Sequence, residues 1–283
     1  MKEALYYEKL DNKRVQCHLC PYECGIPPGG KGACGVRLNK DGTLYTLVYG
    51  KTTGISLDPI EKKPLYRYHP GERILSLGTR GCNLHCEFCQ NWHISQELDG
   101  PTENITSDEI VDRAKALGSF GIAYTYNEPF IWYEFVLETA KLAKAKGLEN
   151  VLVTNGFVNI EPLKELLPYI DAMNIDLKAF DEDFYAKVCK GRLKPVLDVI
   201  KISAKKCHVE LTNLIIPTLN DSEAMIRKMV DWIHDNLGAD TPLHLSRYFP
   251  CYKTTLPPTP VETLRKAEEL ARKKLRYVFV GNI

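Results

Sequence analysis

From residue 73 to its end the chain alternates short β-branched runs with amphipathic stretches, and this alternation narrows the fold more than any other feature. The runs are RILSLGTR (73–80), GIAYTYN (121–127), NVLVTNG (150–156), AMNIDLKA (172–179), HVELTNLII (208–216), PLHLSRYF (242–249) and YVFVGNI (277–283). Runs of this length and composition read as strands, and the segments between them as helices. Two helix starts carry capping-box residues, Thr106 with Glu109 and Thr259 with Glu262, the second with Pro260 at the first helical position. Repeated βα units call for parallel strands and right-handed crossovers. The expected fold is therefore α/β, a partial (β/α)6 TIM-like barrel over 73–283, with a small cysteine-rich unit over 1–72 in front of it.

The strands share a feature at their ends, where apolar residues give way to Asn127-Glu128, Thr154-Asn155, Asp176 with Lys178, Asn213 and Arg247. In a barrel this edge gathers the loops that build an active site. Any one of these residues alone reads as a cap or a loop hydrogen bond, but so many at one edge point to a site. The stretch TRGCNLHCEFCQNWHIS (79–95) follows the first strand and brings Cys82, Cys86 and Cys89 to the same edge. Three thiols this close in sequence make no disulfide framework and are too few to close a tetrahedral zinc site. They suit a [4Fe–4S] cube, in which each thiolate takes one iron and the fourth iron stays open.

The C-x3-C-x2-C spacing, with Phe88 before the third cysteine, resembles the radical S-adenosylmethionine (radical SAM) superfamily. The resemblance implies that S-adenosylmethionine chelates the open iron and is cleaved reductively to a 5′-deoxyadenosyl radical that abstracts hydrogen from a substrate. It also implies cofactor-binding roles for Phe88, Asn127, Glu128, Thr154, Asn155, Asp176, Lys178 and Asn213. Glu128 would accept from the methionyl ammonium, with Tyr126-Asn127 replacing the superfamily's usual glycine pair. Asn155, Asp176 and Lys178 resemble positions that hold ribose hydroxyls and the methionyl carboxylate in pyruvate formate-lyase activating enzyme and its relatives. Arg247 would face the substrate. A closer likeness adds CHLCPYECGIPPGGKGACGVR (17–37), TYNEPF, TNGF, DLKAF and SRYFPCYK, which together resemble the AmmeMemoRadiSam system radical SAM enzymes. That family implies AMMECR1-like and Memo-like partners, a flavodoxin- or ferredoxin-type electron donor, and a further cysteine-bearing tail beyond the Ile283 at which this chain stops. The substrate, small molecule or protein, is left open. The alternative activity is a glycyl-radical enzyme activase acting on a partner's backbone, and a non-catalytic metal-binding scaffold is the third reading.

In the N-terminal unit Cys17, Cys20, Cys24 and Cys34 supply four thiolates, enough for a structural zinc ion or a second cluster. Zinc is the more economical reading, because a small unit gains folding energy from a metal. Unmetallated thiols are the third possibility, and His18 reads as a surface neighbour. Cys189, Cys207 and Cys251 read as ordinary small hydrophobes. With 37 basic against 36 acidic residues, no net field favours nucleic acid or an anionic membrane. The chain shows no transmembrane run and no signal peptide, so a cytoplasmic location is expected, where ten cysteines serve as metal ligands sooner than as disulfides.

Overall fold

The computed structural model describes all 283 residues. Its centre is one sheet whose eight strands lie side by side in chain order. They are β1 (Gly54–Pro59), β2 (Arg73–Gly78), β3 (Gly121–Tyr124), β4 (Glu149–Thr154), β5 (Ala172–Asp176), β6 (His208–Ile215), β7 (Leu243–Arg247) and β8 (Val278–Gly281). β2 to β8 pair in parallel, and β1 pairs antiparallel with β2. Each crossover advances one strand in the same direction, which rolls the sheet into an open barrel with β1 and β8 at its two edges. The α/β partial-barrel expectation holds. β1 lies inside the N-terminal stretch of the sequence, so that stretch supplies the barrel's first strand.

The outer face packs on α1 (Ser107–Ala116), α2 (Tyr133–Ala145), α3 (Ile160–Leu166), α4 (Leu193–Ser203), α5 (Glu223–Leu237) and α6 (Val261–Arg272). The capping box expected for α1 forms: Thr106 accepts from the Glu109 N–H at 3.2 Å, and the Glu109 carboxylate accepts from the Thr106 N–H at 2.7 Å. The one expected for α6 does not. Thr259 instead donates to the Ile215 carbonyl at 2.6 Å and accepts from the Tyr248 N–H at 3.2 Å, and the residue before the helix is Pro260, which has no side-chain cap to offer. A buried hydroxyl that joins two strand ends gains more there than at an exposed helix start.

Apolar packing divides unequally. A cluster of 62 buried residues joins the sheet's outer face, the helices and the N-terminal lobe, whereas only six, Ile60, Leu65, Ile74, Ala123, Val151 and Ala172, fill the inside of the barrel at its base. The segment after β1 plugs that base: Asn174 donates to the Pro64 carbonyl at 2.7 Å, and the buried Glu210 accepts from the Tyr66 and Arg67 N–H groups at 3.1 and 2.7 Å. His208 and His244 also reach Glu210, at 3.0 and 2.6 Å. Burial drives its carboxyl up, but these histidines and the Arg67 N–H outweigh that and hold it down to about 2. The upper part of the barrel is left as a polar-lined space.

Before β1, two three-stranded sheets form a lobe against α2: Lys2–Glu3, Thr43–Thr46 and Arg37–Lys40, and Tyr7–Lys9, Val15–Cys17 and Gly25–Ile26. Arg37, 1% exposed, pairs with the buried Glu134 of α2, which also accepts from the Leu5 N–H at 2.7 Å. No helix is long and apolar enough to cross a membrane.

Candidate active site

The loop after β2 carries Cys82, Cys86 and Cys89 to a cavity of about 320 Å³ at the C-terminal edge of the sheet. The same cavity is lined by Phe88 from that loop, Asn127 and Glu128 after β3, and Thr154 and Asn155 at the end of β4. Asp176 at the end of β5 and Lys178 just after it also line the cavity. Parallel strands place all their C-terminal ends on one rim, which is why residues far apart in sequence meet.

Hydrogen bonds hold the rim to the cysteine loop. Asn127 accepts from the Thr79 N–H at 3.0 Å and donates to the Gly81 carbonyl at 2.9 Å. Asn155 donates to Cys82 Sγ at 3.5 Å and to Asn83 Oδ1 at 2.9 Å. Cys89 Sγ meets Ser95 Oγ at 3.1 Å, and the Leu84 N–H donates to Cys82 Sγ at 3.4 Å. Gly81 has φ +98°, and a Cβ there would come within 2.7 Å of Val36 and 2.9 Å of the Cys34 carbonyl, so only glycine fits. Tyr126 adopts φ +74°, a left-handed conformation that favours glycine and is uncommon for a bulky residue. Neighbours hold it there: its carbonyl accepts from Asn91 at 2.7 Å and its O–H donates to Asp58 at 2.6 Å, with Lys63 on the same carboxylate at 2.7 Å.

Glu128, 1% exposed, accepts from the Phe130 N–H at 3.0 Å, the Thr154 O–H at 2.7 Å and the Asn155 N–H at 2.8 Å. Burial pushes its carboxyl up to about 7 despite those donors. It caps the short helix Pro129–Trp132 and ties it to β4. Three of its four lone-pair sites are filled and one is free for a donor in the cavity. Lys178 pairs with Asp176 at 2.9 Å. Burial works against its charge, but Asp176 and the neighbouring thiols hold it well above the ordinary lysine value.

Two residues expected at the site point elsewhere. Thr212 and Leu214 of β6 line the cavity, so Asn213 between them faces outward and donates to the Leu177 and Lys178 carbonyls at 2.7 and 3.1 Å. Arg247 likewise alternates with Ser246, which lines the cavity; its guanidinium lies over Phe249 and donates to the Thr259 carbonyl at 2.8 Å. Sequence reasoning also missed participants. Lys62 and Pro64 of the plug line the cavity. Cys189, read as an ordinary hydrophobe, neighbours Cys86 and lowers its proton affinity, whereas burial drives Cys82 and Cys89 up. Cys251 donates to the Cys89 carbonyl at 3.5 Å, and Tyr252 stacks on Trp92 at 5.4 Å, so the segment after β7 covers the cysteine loop. Only a fold could join Cys189 to Cys86, since no spacing rule links them.

Three thiols from one loop around one cavity suit a polynuclear centre, in which each sulfur binds a different iron. The Asp176–Lys178 pair and Glu128 beside them can hold a zwitterionic ligand.

Comparison with known proteins agrees. The sequence model of the Radical SAM superfamily matches residues 76–233. An uncharacterized protein of Methanocaldococcus jannaschii is 46% identical over 288 residues, covering 100% of this chain and 86% of that protein. The pyruvate formate-lyase-activating enzyme of Clostridium pasteurianum is 27% identical over 172 residues, covering 58% of this chain and 70% of the relative. Among solved structures, Streptococcus suis SuiB bound to S-adenosylmethionine superposes with a TM-score of 0.59 at 16% identity, covering 74% of this chain and 52% of that one, a likeness of fold.

Proposed function

The chain belongs to the radical SAM superfamily of enzymes, and we propose that Cys82, Cys86 and Cys89 hold its [4Fe–4S] cluster while the rim residues hold S-adenosylmethionine. The observation that carries this reading is the meeting of the three thiols with Glu128, Asn155, Asp176 and Lys178 around one cavity. When bound, the two groups supply reductive C–S cleavage and, from it, a carbon radical able to take hydrogen from a substrate. The free lone pair of Glu128 accepts from the methionyl amino group. Asn155, Asp176 and Lys178 hold ribose hydroxyls and the methionyl carboxylate, and Phe88 closes an apolar wall. Asn155 also fixes Cys82 by its hydrogen bond, so cofactor and cluster loop share one support. The buried rim and the segment after β7 exclude water from the reacting atoms.

The finer reading is an AmmeMemoRadiSam-type enzyme with AMMECR1-like and Memo-like partners, supported by the N-terminal cysteine motif and by SRYFPCYK, which forms the covering segment. A second reading, activation of a glycyl-radical protein, is favoured by the likeness to the Clostridium pasteurianum activating enzyme. The experiment that tests the common core is anaerobic reduction with S-adenosylmethionine. Wild type forms 5′-deoxyadenosine, and Cys82→Ala, Cys86→Ala and Cys89→Ala lose the product and the iron held by this cysteine loop; undiminished product from any of the three refutes the assignment.

A further inference from the structure

We infer that Lys62 receives an anionic group of the substrate, a carboxylate or a phosphate, and that the substrate lies at the end of the chamber walled by Lys62, Pro64, Thr212, Leu214 and Ser246. That this ligand is the substrate rests on the radical SAM reading of the opposite wall; the anion site itself does not. The first support is the balance of charge around the cavity. Apart from the thiols, its charged lining residues are Lys62, Glu128, Asp176 and Lys178. Asp176 and Lys178 pair with each other at 2.9 Å, and the buried Glu128 keeps one lone pair for a cation. These three serve the zwitterionic end of the cofactor. Lys62 is left over, a cation on the cavity wall with its side chain 66% exposed.

The second support is how Lys62 is held. Its partner within the chain is Asp58, with Nζ 3.3 Å from Oδ1, but that carboxylate is already neutralised. Lys63, 1% exposed, donates to Asp58 Oδ2 at 2.7 Å, and the Tyr126 O–H donates to the same oxygen at 2.6 Å. Ser56 donates to Oδ1 at 3.1 Å. Burial works against the charge of Asp58, yet Lys63 and Tyr126 hold its carboxyl far below the ordinary range, so one negative charge stands between two ammonium groups. Lys63 registers the excess. Burial first, and the Lys62 charge beside it, outweigh the pull of Asp58 and lower its proton affinity below the ordinary lysine value. The group of three carries one positive charge too many, and of its two cations only Lys62 is open to a ligand. An anion arriving there relieves the repulsion. An exposed lysine on a filled carboxylate adds little to stability, so the fold itself has slight use for it.

The third support is place. Lys62 ends the short helix Ile60–Lys62 that follows β1 and begins the plug. Tyr126 joins this corner to the rim, since its O–H lies on Asp58 while its carbonyl accepts from Asn91 at 2.7 Å, two residues before Glu128. On the floor, Thr212 donates to Asn174 Oδ1 at 2.9 Å and Asn174 donates to the Pro64 carbonyl at 2.7 Å, so β6 and the plug share one surface. Pro64 and Leu214 make that surface apolar, and Thr212 and Ser246 add hydroxyls to it. None of these residues is needed for the cofactor. A cation, two hydroxyls and an apolar floor suit a small organic anion whose carbon frame lies on Pro64 and Leu214. The lysine ammonium acts as a point charge, which takes a carboxylate or a phosphate alike.

The test is equilibrium dialysis of the full chain against labelled inorganic phosphate and, separately, labelled acetate at fixed ionic strength. Wild type is expected to bind at least one of them at a single saturable site, and the tighter of the two names the anionic group. Lys62→Gln weakens that binding by about tenfold or more, and Lys62→Arg keeps it within about threefold. Lys146→Gln, at an exposed lysine outside the chamber, leaves it unchanged. In the reconstituted, reduced wild type the paramagnetic cluster broadens the phosphorus resonance of phosphate or the methyl proton resonance of acetate, and in Lys62→Gln it does not. No saturable binding of either anion, equal affinity in Lys62→Gln, or no broadening in a wild type that carries the cluster overturns the proposal. S-adenosylmethionine binds Lys62→Gln within about twofold of wild type; a loss of about tenfold hands the lysine to the cofactor and overturns it as well. A wild type that binds the anion through Lys62 but makes no 5′-deoxyadenosine would instead sink the proposed function and leave the anion site standing.

Discussion

Glu128→Gln separates holding the fold from holding the cofactor. Alanine would leave the Phe130, Thr154 and Asn155 donors unpaired in a buried place, so loss of binding could follow from loss of structure. Glutamine keeps the shape. A carboxyl held at about 7 against 4.5 contributes stability that is fully present below pH 4.5 and lost as pH rises through 7, so at pH 8 its ionisation costs the folded protein about 3 kcal/mol. Glutamine removes that cost but sets an amide N–H against a backbone N–H, a penalty of about 1–3 kcal/mol. These effects oppose each other, and the variant's unfolding free energy at pH 8 is expected within about 2 kcal/mol of wild type. Binding moves one way only. A charge-assisted hydrogen bond worth about 1.5–3 kcal/mol is lost, so S-adenosylmethionine binds roughly ten- to a hundredfold more weakly. Wild type must also deprotonate Glu128 to accept the amino group, and relative to the variant its affinity falls about tenfold from pH 8 to pH 6. The variant's own profile carries the ligand's amine titration, so the ratio isolates Glu128. The assay is anaerobic titration of the reconstituted proteins, followed by the change in the cluster's spin-resonance signal, with urea unfolding in parallel. Equal affinities, or parallel pH profiles, refute the placement of the amino group.

Two further outcomes test the scaffold. Glu210 is held at about 2 against 4.5, so it contributes about 3 kcal/mol that is present above pH 4.5 and lost as pH falls through 2; Glu210→Gln is expected to flatten acid unfolding in that window, and an unchanged acid profile contradicts the clamp on the plug. Glu134→Gln leaves the Arg37 cation buried without its counter-ion, and a loss of about 3–5 kcal/mol is expected in urea unfolding, with faster proteolysis before residue 54; a loss below about 1 kcal/mol refutes the ion pair as the lobe's anchor.

The sequence showed the seven parallel strands, because each is a short β-branched run, but it carried most of them two or three residues too far. The run 172–179 shows why: the strand stops at Asp176, and Leu177 and Lys178 leave the ladder to form the rim, where Asn213 takes their carbonyls. Polar residues at strand ends signalled the site correctly as a group. Which of them face inward depends on register, which composition does not record: Asn213 and Arg247 fall on the outward parity, and Thr212 and Ser246 on the inward one. β1 escaped notice because GISLDP alternates weakly and pairs antiparallel at an edge. Cys189 and the plug residue Lys62 reach the site only through tertiary contact, so nothing local marks them.

The unequal division of apolar packing bears on how such a protein diversifies. Its folding free energy comes mainly from the outer layer, where 62 buried residues interlock, while the barrel's inside rests on six at the base. Side chains above that base, among them Thr125, Val153, Thr212, Leu214 and Ser246, line a cavity and do not fill a core, so exchanging them leaves no new void for the fold to absorb. A lineage can therefore recut the chamber for a new substrate in single steps, each nearly neutral to stability, while the cysteine loop and the rim stay as they are.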